Sequence, residues 1–391
     1  MKSFSEFMSH LPVKRCWHLI FRGVIVLSLY FVGAAGSCLA VDGIELELGA
    51  IEFGQGRAQG VVLSLSGLGD ELAITGRIKK LVVKELPDAI SDVSFSCGKF
   101  HYDGKMVECL EGQASISHPW LDDSTVNFSF KYQIDEQRYS GELALQALGG
   151  NIAVQVKGKE NDLFASVTGR HQLSRFPAWA GKYIPLEKLP AGEGQVDYEL
   201  ILETLNDGSL WSRGEITGKQ ISVQSEDGMN GIADVLFSIT PDVMISDKDI
   251  EFDLALKIEK GAALWLIGDD VISLNNASGA VSVDLIGTYA LDSRYVEIER
   301  FRYQHPDVIA IDVQTELDFQ SDSPLNHVAV NLGQLNIGRF LQAYDLSVRA
   351  INDYFVIQNW GLDGDLAGQF SLDKQGRIDL ALDIDRLSIQ D

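Results

Sequence analysis

Val126-Asn-Phe-Ser-Phe-Lys-Tyr-Gln-Ile134 decides how this chain is read: Val126, Phe128, Phe130, Tyr132 and Ile134 occupy every second position and polar residues fill the places between. A period of two sends alternate side chains to opposite faces of an extended strand, so the segment is a β-strand with one apolar and one polar face. The spacing recurs in both directions. Ile44, Leu46 and Leu48 alternate with Glu45 and Glu47, and Ile152, Val154 and Val156 repeat the pattern, as do Val196, Tyr198, Leu200 and Leu202. Further on come Ile250, Phe252, Leu254, Leu256 and Ile258, then Ile309, Ile311 and Val313, and finally Ile378, Leu380, Leu382 and Ile384. Strands of this kind build antiparallel sheets that are wet on one side.

Turn signals separate the strands at short intervals: Asp103-Gly104, Asp135-Glu136-Gln137, Gly158-Lys-Glu-Asn-Asp162, Asn206-Asp207-Gly208, Asp227-Gly228 and Lys374-Gln375-Gly376. Sequential hairpins are the connectivity this predicts. Two stretches suit short helices, residues 173–189, which Pro177 and Pro185 limit to pieces, and residues 337–344, where Phe340, Leu341 and Tyr344 fall at helical spacing. A loose repeat is visible in Ala73-Ile-Thr-Gly-Arg-Ile-Lys-Lys-Leu81, Gly214-Glu-Ile-Thr-Gly-Lys-Gln-Ile-Ser-Val223 and Gly364-Asp-Leu-Ala-Gly-Gln-Phe-Ser-Leu372. No fixed period joins these units, so they read as an elongated sheet extended strand by strand rather than as a solenoid.

The N-terminus differs from everything after it. Residues 1–22 carry Lys2, Lys14, Arg15 and Arg22 against Glu6, and residues 23–41 (GVIVLSLYFVGAAGSCLAV) hold no charge. This is an export element, excluded from the fold. Cys38 and Ala40 stand at −3 and −1 of a cleavage point before Val41, which fits a signal peptide. The uncharged stretch is also long enough for a signal anchor with its basic flank in the cytoplasm, and Cys38 is a candidate for lipidation. All three fates place the rest of the chain in the periplasm. That remainder holds nearly all the acidic residues of a chain with net charge −24, which argues against a charge-driven nucleic-acid binder and fits a β-rich surface kept soluble.

Cys97 and Cys109 flank the Asp103-Gly104 turn. A three-residue loop Tyr102-Asp103-Gly104 would set them opposite each other, and an oxidising compartment would close a disulfide. Two free thiols or a metal pair are the alternatives, and no further ligands cluster nearby.

No constellation for catalysis is legible. His101, His118, His171, His305 and His327 are each isolated, and the sequence holds no His-Glu-x-x-His, no Gly-x-Ser-x-Gly and no phosphate-cradling glycine loop. Asp247, Asp249, Glu251 and Asp253 lack the glycine and the spacing of a calcium loop and read as a solvated strand face. Trp120, Trp179, Trp211, Trp265 and Trp360 are far apart, and Trp211 and Trp265 lie in apolar patterns, so they read as core. No catalytic, cofactor-binding or metal-ligating residue is assigned.

Gly214-Glu-Ile-Thr-Gly-Lys-Gln-Ile-Ser-Val-Gln-Ser-Glu-Asp-Gly-Met-Asn-Gly231 is one carrier of a wider likeness. The run Asn331-Leu-Gly-Gln-Leu-Asn-Ile-Gly-Arg-Phe-Leu-Gln-Ala-Tyr344, leading to Trp360-Gly-Leu-Asp-Gly-Asp-Leu-Ala-Gly-Gln-Phe370, is another: a strand, a short helix, then a glycine-rich strand opening. With the N-terminal membrane segment, these resemble the AsmA-like superfamily of Gram-negative envelope proteins, and within it the YdbH-like and TamB-like group.

The resemblance implies a mostly β fold, an elongated, bent antiparallel sheet of taco-like section with one or two short helices. It implies two regions: residues 1–40 as signal peptide or anchor, and residues 41–391 as a repetitive β-groove with a sub-boundary near 173–192. It also implies phospholipid acyl chains shielded by the apolar face between inner and outer membrane, each buried methylene contributing about 0.8 kcal/mol. The lining expected from the strand patterns is Val126, Phe128, Phe130, Tyr132, Val196, Tyr198, Leu200, Leu202, Ile250, Phe252, Leu254, Leu256, Ile378, Leu380, Leu382 and Ile384. Family members are generally longer. The strand carrying Ile384, Leu387 and Ile389 is expected to be an apolar edge: either an envelope partner continues the sheet there, or the chain is a shortened copy whose downstream part is lost. A closed, non-catalytic β-sandwich serving as a structural or interaction module is the competing reading.

Overall fold

A computed structural model describes residues 43–53, 56–68, 71–83, 89–117, 121, 124–147, 149–159, 162–175, 191–224, 231–267, 270–275, 279–321, 323–348, 355–356 and 362–389. The expected export element, most of the 173–192 boundary, the Asp227-Gly228 turn, His118, Trp120, Trp179 and Trp360 lie outside the described residues.

Strands dominate, and every register described is antiparallel. Residues pack into two units. The first takes residues up to His171 together with Ile201–Asn206, and the second takes most of the rest.

In the first unit, nine strands follow one another as a meander: β1 (Gly43–Phe53), β2 (Gly56–Leu68), β3 (Glu71–Val83), β4 (Ile90–Tyr102), β5 (Met106–Ser117), β6 (Thr125–Gln133), β7 (Arg138–Ala147), β8 (Gly150–Lys159) and β9 (Asp162–Gln172). Each pairs with the next by antiparallel register. A 3₁₀ turn at Leu173–Arg175 is the described part of the first expected helix. Strand β10 (Ala191–Thr204) contributes residues to both units.

The second unit continues with β11 (Leu210–Gln224), β12 (Gly231–Ile245), β13 (Asp249–Ile267), β14 (Asp270–Asn275), β15 (Val281–Ala290), β16 (Tyr295–His305), β17 (Ile309–Asp318) and β18 (Leu325–Asn336). Helix α1 (Ile337–Ala343) follows, where the spacing of Phe340, Leu341 and Tyr344 predicts it, then β19 (Tyr344–Val348), β20 (Phe355–Val356), β21 (Leu362–Asp373) and β22 (Ile378–Ile389). The main ladder runs β11, β12, β13, β15, β16, β17, β18, β21, β22. A side ladder leaves the far end of β13 through β14 to β19 and β20.

The strands bend where bulges line up. In the second unit Gln220 (φ +53), Asp234 (φ +51) and Gly261 (φ +135) stand at one level of β11, β12 and β13, and the register slips there on β11–β12 and β12–β13. In the first unit Gly60 (φ +61) and Asp92 (φ +53) mark a similar level on β2 and β4. An extra residue in one strand of a pair increases local twist and bends it, so a row of bulges folds a sheet along a line.

The hairpin that carries the cysteines differs from expectation. Its turn is Asp103–Met106: the Asp103 carboxylate accepts from the Lys105 N–H at 2.9 Å and the Met106 N–H at 2.7 Å, with Gly104 at φ +86°. That Asx geometry moves the register three residues from the one that a Tyr102-Asp103-Gly104 loop would set. Cys97 faces Gly112, and Cys109 faces Phe100. The cysteines are therefore not directly opposite, yet their Cα atoms are 6.0 Å apart and their sulfurs are bonded. The alternation skips between Cys97 and Phe100 and again between Cys109 and Gly112, which turns both cysteines into one cluster with Ile74, Phe100, Val107 and Phe130.

Candidate functional site

Cross-strand register turns the alternation of single strands into continuous faces. In the first unit one row reads Ile44, Leu65, Ile74, Cys97, Gly112, Phe128, Leu143, Val154, Val167, one residue from each of β1 to β9. Displaced by one residue on every strand, the opposite face reads Glu45, Ser64, Thr75, Ser96, Gln113, Asn127, Ala144, Ala153, Thr168. A one-residue slip would exchange the two faces, so burial of the apolar one fixes the register.

The second unit repeats this. Leu254, Leu285, Phe301, Val313, Val330, Phe370 and Leu380 form an unbroken row over seven strands. The row Asp284, Arg302, Asp312, Asn331, Gln369, Ala381 faces the other way, with Arg302 Nε bonded to Asp312 at 2.7 Å.

Each group of expected lining residues has a definite place. Val126, Phe128, Phe130 and Tyr132 lie on the apolar face of β6; Val126 and Phe130 are buried, Phe128 and Tyr132 half-buried, and the two phenylalanine rings stack at 6.4 Å. Val196, Tyr198, Leu200 and Leu202 alternate along β10, all half-buried, and Leu202 packs on Val156, Leu163 and Ala165. On β13, Ile250 is buried and Phe252, Leu254 and Leu256 are half-buried. On β22, Ile378, Leu380, Leu382 and Ile384 are 55–63% exposed. Within the second unit the register joins the β13 and β22 residues into one face; within the first it joins the β6 residues to β1–β9.

The burial is graded. Val61, Leu63, Phe100, Val107, Cys109 and Ala165 are at most 2% exposed, so parts of the first unit's apolar face are closed by their neighbours. In the second unit Leu254, Leu285, Phe301, Val313, Val330 and Phe370 are all half-buried. Side chains between two packed layers would be fully covered, and these are not.

Sequence reasoning left out the middle of that row, Leu285, Phe301, Val330 and Phe370, although each lies in an alternating strand. It read His305 as isolated and Tyr344 as part of a helix and did not name Tyr303, and the structure bonds the three together beside α1. Trp211, read as core, is half-buried on the polar side instead: its indole N–H donates to Asp242, and the Arg213 guanidinium lies 4.2 Å from its ring centroid. The side chain of Trp265 lies outside the described residues.

Two hollows lie on the polar faces. One, of about 610 Å³, is lined in part by Arg302, Asp312, Asn331 and Gln369; the other, of about 500 Å³, in part by Ser64, Thr75, Arg77, Ser96 and Gln113. The first also takes in Val313, Val330 and Phe370 and the second Val62 and Phe95, so both linings mix polar and apolar residues. Among the described residues no three His, Cys, Asp or Glu side chains converge as metal ligands. Asp249 is engaged by the Ser246 hydroxyl, while Glu251 and Asp253 point to solvent.

No family model, no curated protein and no solved structure matches this chain.

Proposed function

We propose that this protein binds phospholipid in the periplasm and carries the acyl chains along the apolar face of its sheet, between inner and outer membrane, without chemistry. The observation that carries this reading is the half-buried row Leu254, Leu285, Phe301, Val313, Val330 and Phe370. An aligned strip of apolar side chains that stays half-buried has an unmet need for apolar cover, and hydrocarbon meets that need without directional bonds. The export element, as a cleaved signal or as an anchor through residues 23–41, and the Cys97–Cys109 bridge both fit the periplasm.

An envelope partner suits β22. Its apolar side is more than half exposed, and among the described residues its ladder partner is β21 alone, so a further strand paired to its other edge would extend the sheet and flank those side chains.

A non-catalytic structural or interaction module is the second reading, favoured by the closed cluster around Cys97, Phe100, Val107 and Cys109. Native mass spectrometry of the full chain, extracted under mild conditions from a bacterial envelope, separates the two. Lipid transfer requires mass adducts that resolve into phospholipids; protein that is lipid-free in every preparation and takes up no phospholipid from vesicles leaves the module reading.

A further inference from the structure

The hollow of about 500 Å³ on the first unit lies against the polar face of β2 to β6. Gly76, Phe95 and Ala114 also border it, but by register they belong with Leu63 to the apolar face. What the polar face offers is two adjacent rows. Ser64, Thr75, Ser96 and Gln113 form one, each directly opposite the next. Arg77, Ser94, Ser115 and Thr125 form the other, two residues away along each strand. Antiparallel pairing sets neighbours within a row about 5 Å apart and the rows about 7 Å apart. Ser64 and Ser94 are half-buried and the other six are exposed, so a ligand can reach them.

In a protein of net charge −24 this hollow is lined by one cation and one carboxylate, and the carboxylate, Glu45, accepts from the Ser64 hydroxyl at 3.1 Å. On neighbouring strands Lys99 pairs with Glu111 and Lys131 with Glu108, and in the second unit's hollow Arg302 is taken by Asp312. Arg77 enters no ion pair among the described residues. Hydroxyls and the Gln113 amide both donate and accept, and a guanidinium presents a fork of donors that fits a carboxylate or a phosphate. A ligand matched to the set carries several hydroxyls and an anionic group.

Other classes fit less well. One cation is too few for a polyanion such as nucleic acid. Among the described residues Val62 is the one apolar side chain on this face of the hollow, too little to anchor a lipid tail or a peptide. Strands β2 to β5 are paired on both sides, so no edge is open for an added peptide strand.

We propose that this hollow binds a carbohydrate that carries a carboxylate or a phosphate: the two rows hydrogen-bond its hydroxyls, and Arg77 takes the anionic group. The proposal stands apart from the lipid-carrying reading, because it uses the polar face alone.

The test presents the full chain to an array of neutral, carboxylated and phosphorylated oligosaccharides. The strongest ligand is then titrated against the wild type, Arg77→Gln, Thr75→Val, Ser96→Ala and, outside the hollow, Lys105→Ala. Anionic glycans should bind above neutral ones. Arg77→Gln should weaken the ligand at least about tenfold, down to the level of its neutral counterpart, and Thr75→Val and Ser96→Ala should each weaken it about threefold. Lys105→Ala should leave it unchanged, and circular dichroism checks that every variant keeps the sheet. The same glycan, free in solution or as the headgroup of a glycolipid in phosphatidylcholine vesicles, distinguishes the two sources of such a sugar; binding of either form through Arg77 supports the site. Inorganic phosphate competing as well as the glycan itself would make the hollow a general anion site and overturn the carbohydrate. Neutral and anionic glycans bound alike, with no effect of Arg77→Gln, overturn the anionic group. No binding on the array, or binding indifferent to all three variants of the hollow, overturns the site and leaves the lipid-carrying reading untouched.

Discussion

The ring of Phe95 stands against the α-carbon of Gly76 on the neighbouring strand, so close that a Cβ built on Gly76 would lie 2.2 Å from ring carbons. Phe128 meets Gly112 and Phe237 meets Gly218 in the same way. At Gly368 the added carbon would stand 2.6 Å from the Ala381 carbonyl oxygen and 2.7 Å from a methyl of Leu382. Glycine weakens a strand because it offers no side chain to pack, and a large neighbour laid across the gap restores the lost contact.

Gly76→Ala should therefore destabilise the protein by about 1–3 kcal/mol through overpacking. Urea unfolding measures this, and repeating the substitution in a Phe95→Leu background should recover much of the loss. Equal costs in both backgrounds would mean that the ring is not what the new methyl meets.

This contact explains the loose repeat in the sequence. Gly76, Gly218 and Gly368 occupy the same place in the three repeated segments, and each faces a bulky apolar residue of the next strand. The strands and their two faces were legible because alternation is local. The bends were not: Gln220, Asp234 and Asp92 are polar residues in left-handed positions, and nothing in their neighbours distinguishes them from ordinary strand residues. The hairpin register was missed because the Asp103 side chain, not the glycine alone, sets the turn. The residues under α1 come from β16, β17 and β18 and from the end of the helix, so their meeting depends on strand pairing that no single segment encodes.

Cys97 and Cys109 are twelve residues apart in sequence, and the bridge between them shortens a loop of the unfolded chain. Reduction, or Cys97→Ser with Cys109→Ser, should remove about 2–3 kcal/mol of stability. The readout is the denaturant midpoint with and without a thiol reductant. The bridged protein should lose stability on reduction while the double serine variant stays put, and a reductant effect of equal size in both would discount the bridge.

His305 sets a pH dependence. Burial pulls its pKa below the ordinary value of 6.5, and Tyr344, bonded to its ring, and Tyr303, bonded to Tyr344, are held neutral because burial raises theirs. The unfolded chain therefore takes up the proton first, so this contribution is complete above pH 6.5 and is lost as pH falls through the depressed folded value. Asp103 and Asp373, whose carboxylates are lowered chiefly by backbone N–H bonds from their turns, act only below 3.8. Thermal melts should fall from pH 6.5 downward before any carboxylate step, and His305→Gln should flatten that first slope. A first slope unchanged in the glutamine variant would assign it elsewhere.

Leu254 and Asp253 are adjacent on β13 and point to opposite faces, which makes them a matched pair for asking which face meets lipid. Leu254→Lys places an ammonium in the middle of the half-buried row, where it must either be desolvated beneath a bound chain or exclude that chain. Asp253→Lys changes the charge by a greater amount but on the wet side. Binding of a fluorescent fatty acid should weaken at least about tenfold in Leu254→Lys and by less than about twofold in Asp253→Lys. Circular dichroism and hydrogen exchange on β15 and β16 establish that both variants keep the sheet. If the two lysines weaken binding equally, charge and not the apolar row governs it. If neither does, the ligand sits elsewhere than above Leu285 and Phe301.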